Sequence, residues 1–309
     1  MKDMLTVSSS PHLRHPDTTA GIMLDVIIAL APAAIYGCIL FGIRALLLIF
    51  TCIISAVLAE YIWCKLLKKP VSIGDLSAVV TGLLLAMNLS SAVPIWIAAI
   101  GSVVAIIIVK QMFGGLGFNF ANPAITARIV LLVSFPSYMA EFLEPVMYDA
   151  VTTATPLVKE AGAYTFNELF FGMHGGCIGE TSAFLLIIGG LYLILRRVIN
   201  PIIPVCFIGT VALFSLIFGE NVIQQVFGGG LILGAVFMAT DYTTSPITNK
   251  GKLIFGIGCG ILTFVIRRFA SLSEGVSYAI LLMNILVPYI NKATLTKPFG
   301  VRKRGAEYE

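Results

Sequence analysis

A chain of 309 residues that is 58% hydrophobic and 12% charged is not an ordinary soluble domain, which would carry roughly twice that charge. A net charge of +4 gives no basis for a nucleic-acid partner. Apolar runs of about 20 residues recur along nearly the whole chain, each long enough to cross a hydrocarbon core of about 30 Å as a helix. They lack the alternating polarity of membrane strands, so the expected class is an all-α integral membrane protein.

In chain order the runs predict helices at Ile22–Phe41, Ala45–Leu67, Leu76–Leu89, Pro94–Val109 and Pro123–Met139. After a polar stretch they predict Thr181–Leu195, Ile202–Phe218, Val226–Thr240, Leu253–Ile266 and Val276–Ile290. The first run contains Asp25, has no small-residue cleavage site after it and leads straight into the second, so it reads as a span rather than a cleaved leader. The six cysteines form no CxxC pair, and no metal or iron–sulfur site is expected.

Placing the N-terminus inside puts fifteen Lys and Arg residues on inside segments, from Lys2 to Arg304. Only Arg44, Lys159, Arg267 and Arg268 fall outside, a clear positive-inside bias. The resulting division is a cytoplasmic segment (1–19), five helices (20–139), an extracytoplasmic loop (140–180), five more helices (181–291) and a cytoplasmic tail (292–309). Among charges inside the runs, Glu60 has Lys65 within reach near its helix end, and Asp75 reads as the cap of the third helix. Asp25 and Arg128 lie near inside ends, from which long side chains snorkel to water. Glu180 is expected to open the sixth helix, where it would favour the helix dipole.

Gly82–Pro94 reads GLLLAMNLSSAVP and Gly234–Pro246 reads GAVFMATDYTTSP. Both start at glycine, pass from apolar to polar and end at proline with the same spacing. They fall in the third and eighth predicted helices, so each half holds five. An odd number inverts the second half relative to the first. Inverted repeats with short segments at matching positions are a transporter architecture, and about 14 residues span only about 21 Å.

Three segments carry candidate chemistry. In the outside loop, Asp149-Ala-Val-Thr152-Thr153-Ala154-Thr155-Pro156 places an extended threonine before a proline, its hydroxyl reachable by a modifying enzyme. Between the fourth and fifth helices, Phe113-Gly-Gly-Leu-Gly-Phe-Asn119-Phe-Ala-Asn122-Pro123 sets two amides among glycines at a helix entrance. Asn122 before Pro123 is a natural N-cap, and amides can also bond the donors and acceptors of a flat heterocycle. In the eighth helix, Asp241 ends a short segment with Phe237 one turn earlier on the same face. An acidic residue there is either a solvated carboxylate or part of a transport path.

These segments, with Ser10–Arg14 (SPHLR), Phe237–Lys252 (FMATDYTTSPITNKGK) and Ser273–Asn284 (SEGVSYAILLMN), resemble the D subunit (RnfD) of the Rnf complex, the ion-translocating ferredoxin:NAD oxidoreductase. The resemblance covers essentially the whole chain. It implies a urea-transporter-like inverted repeat and a covalent FMN phosphoester on Thr155, within an acceptor motif formed with Asp149, Thr152 and Ala154. Thr153 stands where that motif usually has glycine. It further implies a non-covalent riboflavin near Asn119 and Asn122, and an ion path, sodium or proton, at Asp241 and Phe237. The implied partners are the A, B, C, E and G subunits of the Rnf complex, a flavin transferase and membrane lipid. Hydride chemistry would belong to those partners, because no nucleotide-binding glycine fingerprint follows a strand here. Two alternatives are a non-redox solute channel of the same fold and the B subunit of the sodium-pumping NADH:quinone oxidoreductase. That relative has a longer N-terminal extension and lacks the SPHLR start. Reduction of a redox regulator instead of NAD is a further reading that the residues leave open.

Overall fold

A computed structural model of the chain describes residues 18–143, 152–153, 157, 164–180, 182–270 and 275–295. Helices dominate, beginning with α1 (Thr19–Phe41) and α2 (Ile43–Leu66), which turn on Gly42 at φ 71°. That conformation favours a residue without Cβ. After a single 3-10 turn at Ile73–Asp75 come α3 (Ser77–Met87) and α4 (Ile95–Val103), and α4 continues as a π-helical segment, Val104–Gln111. Helix α5 (Pro123–Ser134) falls short of the expected end at Met139. It stops at Phe135 because Pro136 bars that residue from helical backbone, and a short α6 (Pro136–Met139) follows.

A two-stranded antiparallel ladder pairs β1 (Phe142–Leu143) with β2 (Thr152–Thr153), and α7 (Phe166–Phe171) follows. Then come α8 (Ala183–Leu195) and α9 (Ile202–Ile217). The expected run Val226–Thr240 is broken in two. Helix α10 (Val222–Phe227) ends at a glycine turn with Gly229 and Gly230 both at φ 66°. Helix α11 (Leu231–Leu233) then passes into a second π-helical segment, Gly234–Met238. Helices α12 (Asn249–Phe269) and α13 (Gly275–Thr294) close the described chain.

Among the described residues α1, α2 and α13 are each long and apolar enough to cross a membrane, and several shorter apolar helices stand beside them. Their outer faces expose Ile39, Ile43, Phe50, Leu58 and Tyr289, a surface suited to hydrocarbon. With so apolar a solvent, helices associate through close packing at small residues. Gly82 of α3 lies on the backbone of α2, where an added Cβ would stand 2.7 Å from the Cys52 carbonyl oxygen. Gly256 and Gly260 of α12 do the same against α9.

Most intramembrane charges find partners other than those expected. Glu60 pairs with Lys110, at 2.9 Å, not with Lys65. Asp25 does not snorkel: it accepts from Tyr192 and pairs with Arg196 at 3.2 Å. Arg128 is buried and faces Glu180, which precedes α8 rather than sitting in its first turn. Arg267, unexplained by the positive-inside pattern, binds the carbonyls of Gln225, Gly228 and Gly229, while Arg268 pairs with Glu220. Asp75 stands one residue before the N-cap of α3, Leu76, and from there accepts from the first helical amide, Ser77 N, at 2.8 Å. Replacing Gly82 with Val should force α2 and α3 apart and destabilise the protein by about 1–3 kcal/mol. Thermal unfolding of the purified protein in detergent measures this.

Candidate functional site

The break after α3 is the starting point. Met87 and Leu89 leave carbonyls without helical donors, and the segment 174–180 supplies them: Gly179 N donates to Met87 O at 2.7 Å and Ile178 N to Leu89 O at 2.9 Å. Asn88 turns its Nδ2 onto Leu84 O at 2.7 Å and the Met238 sulfur at 3.2 Å. Asn122 Nδ2 donates to Met238 O at 3.2 Å, while its Oδ1 caps α5 by accepting from Ala124 and Ile125. The end of α3, the start of α5 and the end of the π-helical segment Gly234–Met238 therefore meet at one buried junction.

Below that junction lies a narrow, open-mouthed cleft with about 80 Å³ of space for a water-sized sphere. Its walls come from the start of α1 (Ile22, Met23, Val26), the first turns of α3 (Ser77, Val80, Thr81, Leu84) and the α8–α9 connection (Val198, Ile199). Asn119, Asn122, Phe237 and Asp241 all line it. Four candidates from two distant segments of the sequence are thus brought together. Asn119 is 8% exposed and donates one N–H to Ala121 O at 3.2 Å. Asn122 has most of its amide engaged by the protein, which makes it a positioning residue for the α5 entrance. Asp241 Oδ2 accepts from Thr243 at 2.9 Å and Thr244 at 3.0 Å, and Tyr242 clamps the same turn to Val198 O.

Lys110 and Ser77, which belong to none of the candidate segments, also line the cleft. Lys110 Nζ donates to Ser77 Oγ at 2.6 Å and to both Glu60 oxygens, and Gln111 and Ser72 complete the carboxylate's shell. The lysine's charge is therefore already neutralised by protein. Glu60 and Lys110 lie 50 residues apart, so no local spacing could have revealed the pair.

Asp149, Ala154 and Thr155 lie outside the described residues, and of Thr152 only the backbone is described, paired with Leu143. Leu157, two residues beyond Thr155, sits in the glycine turn after α10. An added Cβ on Gly228 would stand 3.6 Å from its Cδ2, and Gly229 is closer still. Nearby, Phe166 and Phe170 of α7 meet Phe227 edge to face. Helix α7 is held by a capping box in which the Thr165 amide, and then its hydroxyl, keep the exposed Glu168 carboxyl below its usual range.

The architecture defines an integral, helical membrane protein with a cleft that ends at broken helices. The NQR2, RnfD, RnfE family profile matches residues 6–300, and the chain belongs to that family. It is 50% identical to the D subunit of the Na(+)-translocating ferredoxin:NAD(+) oxidoreductase complex of Acetobacterium woodii, over 97% of this chain and 96% of that protein. It is 44% identical to the D subunit of the Proton-translocating ferredoxin:NAD(+) oxidoreductase complex of Clostridium ljungdahlii, over 98% of both. It is 37% identical to the D subunit of an Ion-translocating oxidoreductase complex of Stutzerimonas stutzeri, over 92% of this chain and 93% of that one.

Replacing Lys110 with Met strands the Glu60 charge and should cost about 3–5 kcal/mol. The double variant Glu60→Gln, Lys110→Met should recover most of that loss. Paired thermal unfolding of the two variants measures the difference.

Proposed function

We propose that this chain is the D subunit of an ion-translocating ferredoxin:NAD oxidoreductase. In this reading it carries electrons across the membrane on two flavins, coupled to movement of sodium ions or protons. The observation that supports it best is the cleft, which gathers Asn119, Asn122, Phe237 and Asp241 from segments more than a hundred residues apart. Full-length similarity to proteins named for that activity supports it too.

The proposed architecture has about ten spans in two inverted five-helix halves, urea-transporter-like, with both termini cytoplasmic. Several contacts favour it. Helix α2 packs on α3 and α4 as α9 packs on α12, α1 lies against α8, and α5 against α13. Helix α3 and the π-helical turn that follows α11 both stop short and touch through Asn88 and Met238.

The cleft has the character of a small-molecule site, apolar walls with a few convergent polar groups, and it would have to widen from about 80 Å³ to take a flavin ring. Val80, Leu84 and Val236 supply the walls, and Asn119 the adaptable amide. Lys110, already paired, would not demand a phosphate. Bound there, a flavin would supply one-electron chemistry. The chain's own part is to hold the ring, exclude water with Phe237 and the α3 wall, and keep a carboxylate, Asp241, at the mouth for a passing cation. FMN joined to Thr155 would place the other flavin at the opposite end, where Leu157 is seated against Gly228 and Gly229. The remaining partners proposed are the A, B, C, E and G subunits of the Rnf complex, the maturing flavin transferase and lipid. The relatives are named for both sodium and protons, so their names leave the ion open.

The test is in-gel ultraviolet fluorescence of the denatured protein co-expressed with a flavin transferase. Wild type should fluoresce and Thr155→Val should not; a dark wild-type band would favour a solute channel instead. For the cleft, Asn119→Leu should lower the acid-extractable flavin of the purified complex about tenfold, as loss of a buried ligand hydrogen bond predicts. Covalent fluorescence should remain at the wild-type level.

A further inference from the structure

A second, much smaller hollow of about 10 Å³, room for one water-sized group or small cation, lies on the other side of the junction, lined by Glu180, Leu186, Phe227 and Gly230. Along α8 the cleft reaches Leu193 and the hollow Leu186, so about two helical turns, roughly 10 Å, separate them.

Glu180 is 4% exposed, and the ionisable groups around it are Arg128 and the buried His174, whose ring an added Cβ on Gly176 would meet together with Glu180 Oε2. Its Oε2 accepts from the Cys177 amide at 3.4 Å. Its Oε1 stands 3.6 Å from Arg128 Nη2, beyond hydrogen-bond length, and receives no hydrogen bond among the described residues. A buried carboxylate ordinarily gathers donors on both oxygens, so this one is under-satisfied. Gly230, at φ 66°, keeps the space before it clear, since a Cβ there would stand 2.7 Å from Oε1. Arg128, in contrast, has further acceptors: Asn88 Oδ1 at 2.7 Å, Cys177 Sγ at 3.2 Å and Ser277 Oγ at 3.4 Å. The guanidinium keeps partners if the carboxylate turns to another cation.

We propose that Glu180 is a cation-binding carboxylate of the translocation path, taking a small monovalent cation in competition with Arg128. If the cation is sodium, Oε1 becomes a ligand and no bond breaks. If it is a proton, an O–H bond forms on Oε1, the carboxyl becomes neutral, and Arg128 is held by Asn88 and Ser277. The excess positive charge on Arg128 then favours release, so occupancy is transient. This rests on the ion-translocating reading above, but it assigns a residue on the far side of the junction from Asp241.

The wild-type complex in native membranes provides the first test. Dicyclohexylcarbodiimide modifies protonated carboxyls in apolar surroundings, and mass spectrometry of the Glu180 peptide reads the product. Protection by sodium chloride, relative to choline chloride at the same pH, supports a sodium site. Labelling that ignores sodium but falls as pH rises supports a proton site. Labelling that responds to neither, or none at any pH, overturns the proposal. This readout needs neither turnover nor flavin, so it stands or falls separately from the electron-relay reading. In the reconstituted complex, Glu180→Gln should leave ferredoxin-driven NAD reduction running while ions moved per electron fall about tenfold, the scale of losing one charged ligand. An unchanged ratio overturns the proposal.

Discussion

Two helical segments, α3 and the π-helical turn that follows α11, stop in the buried core, and every backbone group that they leave open must be satisfied there. In hydrocarbon an unsatisfied amide or carbonyl costs several kcal/mol, so a helix end can exist at that depth only where protein surrounds it. The segment 174–180 closes the end of α3 with two amides, and Asn122 closes the end of the π-helical turn while capping α5. Asn88 and Met238 tie the two ends to each other. The cleft exists because those ends terminate there and leave the space beneath them unfilled.

The same constraint governs charge. Asp25, Glu60, Arg128 and Glu180 are all buried, and each has an opposite charge within 4 Å. The pairs differ in quality. Glu60 is surrounded by Lys110, Gln111 and Ser72, an arrangement that pins the start of α3 to the end of the α4 π-segment. Glu180 meets its arginine at a longer distance and keeps an oxygen without a donor among the described residues. The first pair has its acceptors filled, whereas the second leaves Glu180 Oε1 with acceptor capacity unused among the described residues. Both π-helical segments lie beside these features, in line with the tendency of π-geometry to appear at functional sites.

Glycine sets how closely the elements approach. Gly189 and Gly190 of α8 receive Phe237 and Val236, so the wall between cleft and hollow is a contact between side chains of the π-helical segment Gly234–Met238 and bare backbone of α8. In a solvent as apolar as leucine, such closeness replaces the hydrophobic effect as the source of helix association. A modest shift of α11 and its π-helical continuation against α8 would therefore alter both cavities at once, because Val236 and Phe237 line the cleft and Leu231–Leu233 the hollow, each opposite residues of α8.

Run length and composition alone determined that the chain is helical and membrane-embedded, because only an internally hydrogen-bonded helix tolerates about 20 apolar residues in lipid. Local chemistry was equally legible: Asn122-Pro123 as a cap, Asp75 as an acceptor at the start of α3, and the short polar-ended segments around Asn88 and Asp241. The break at Gly228–Gly230 was not legible, since apolar residues on both sides disguise two short helices as one. What only the tertiary structure decided is which charges meet. Lys110 reaches Glu60 from 50 residues away, and Arg128 reaches Glu180 from 52 residues away. Spacing along a helix predicts neighbours three or four residues apart, but partners across helices depend on where each helix stops and how closely its glycines let the next one pack.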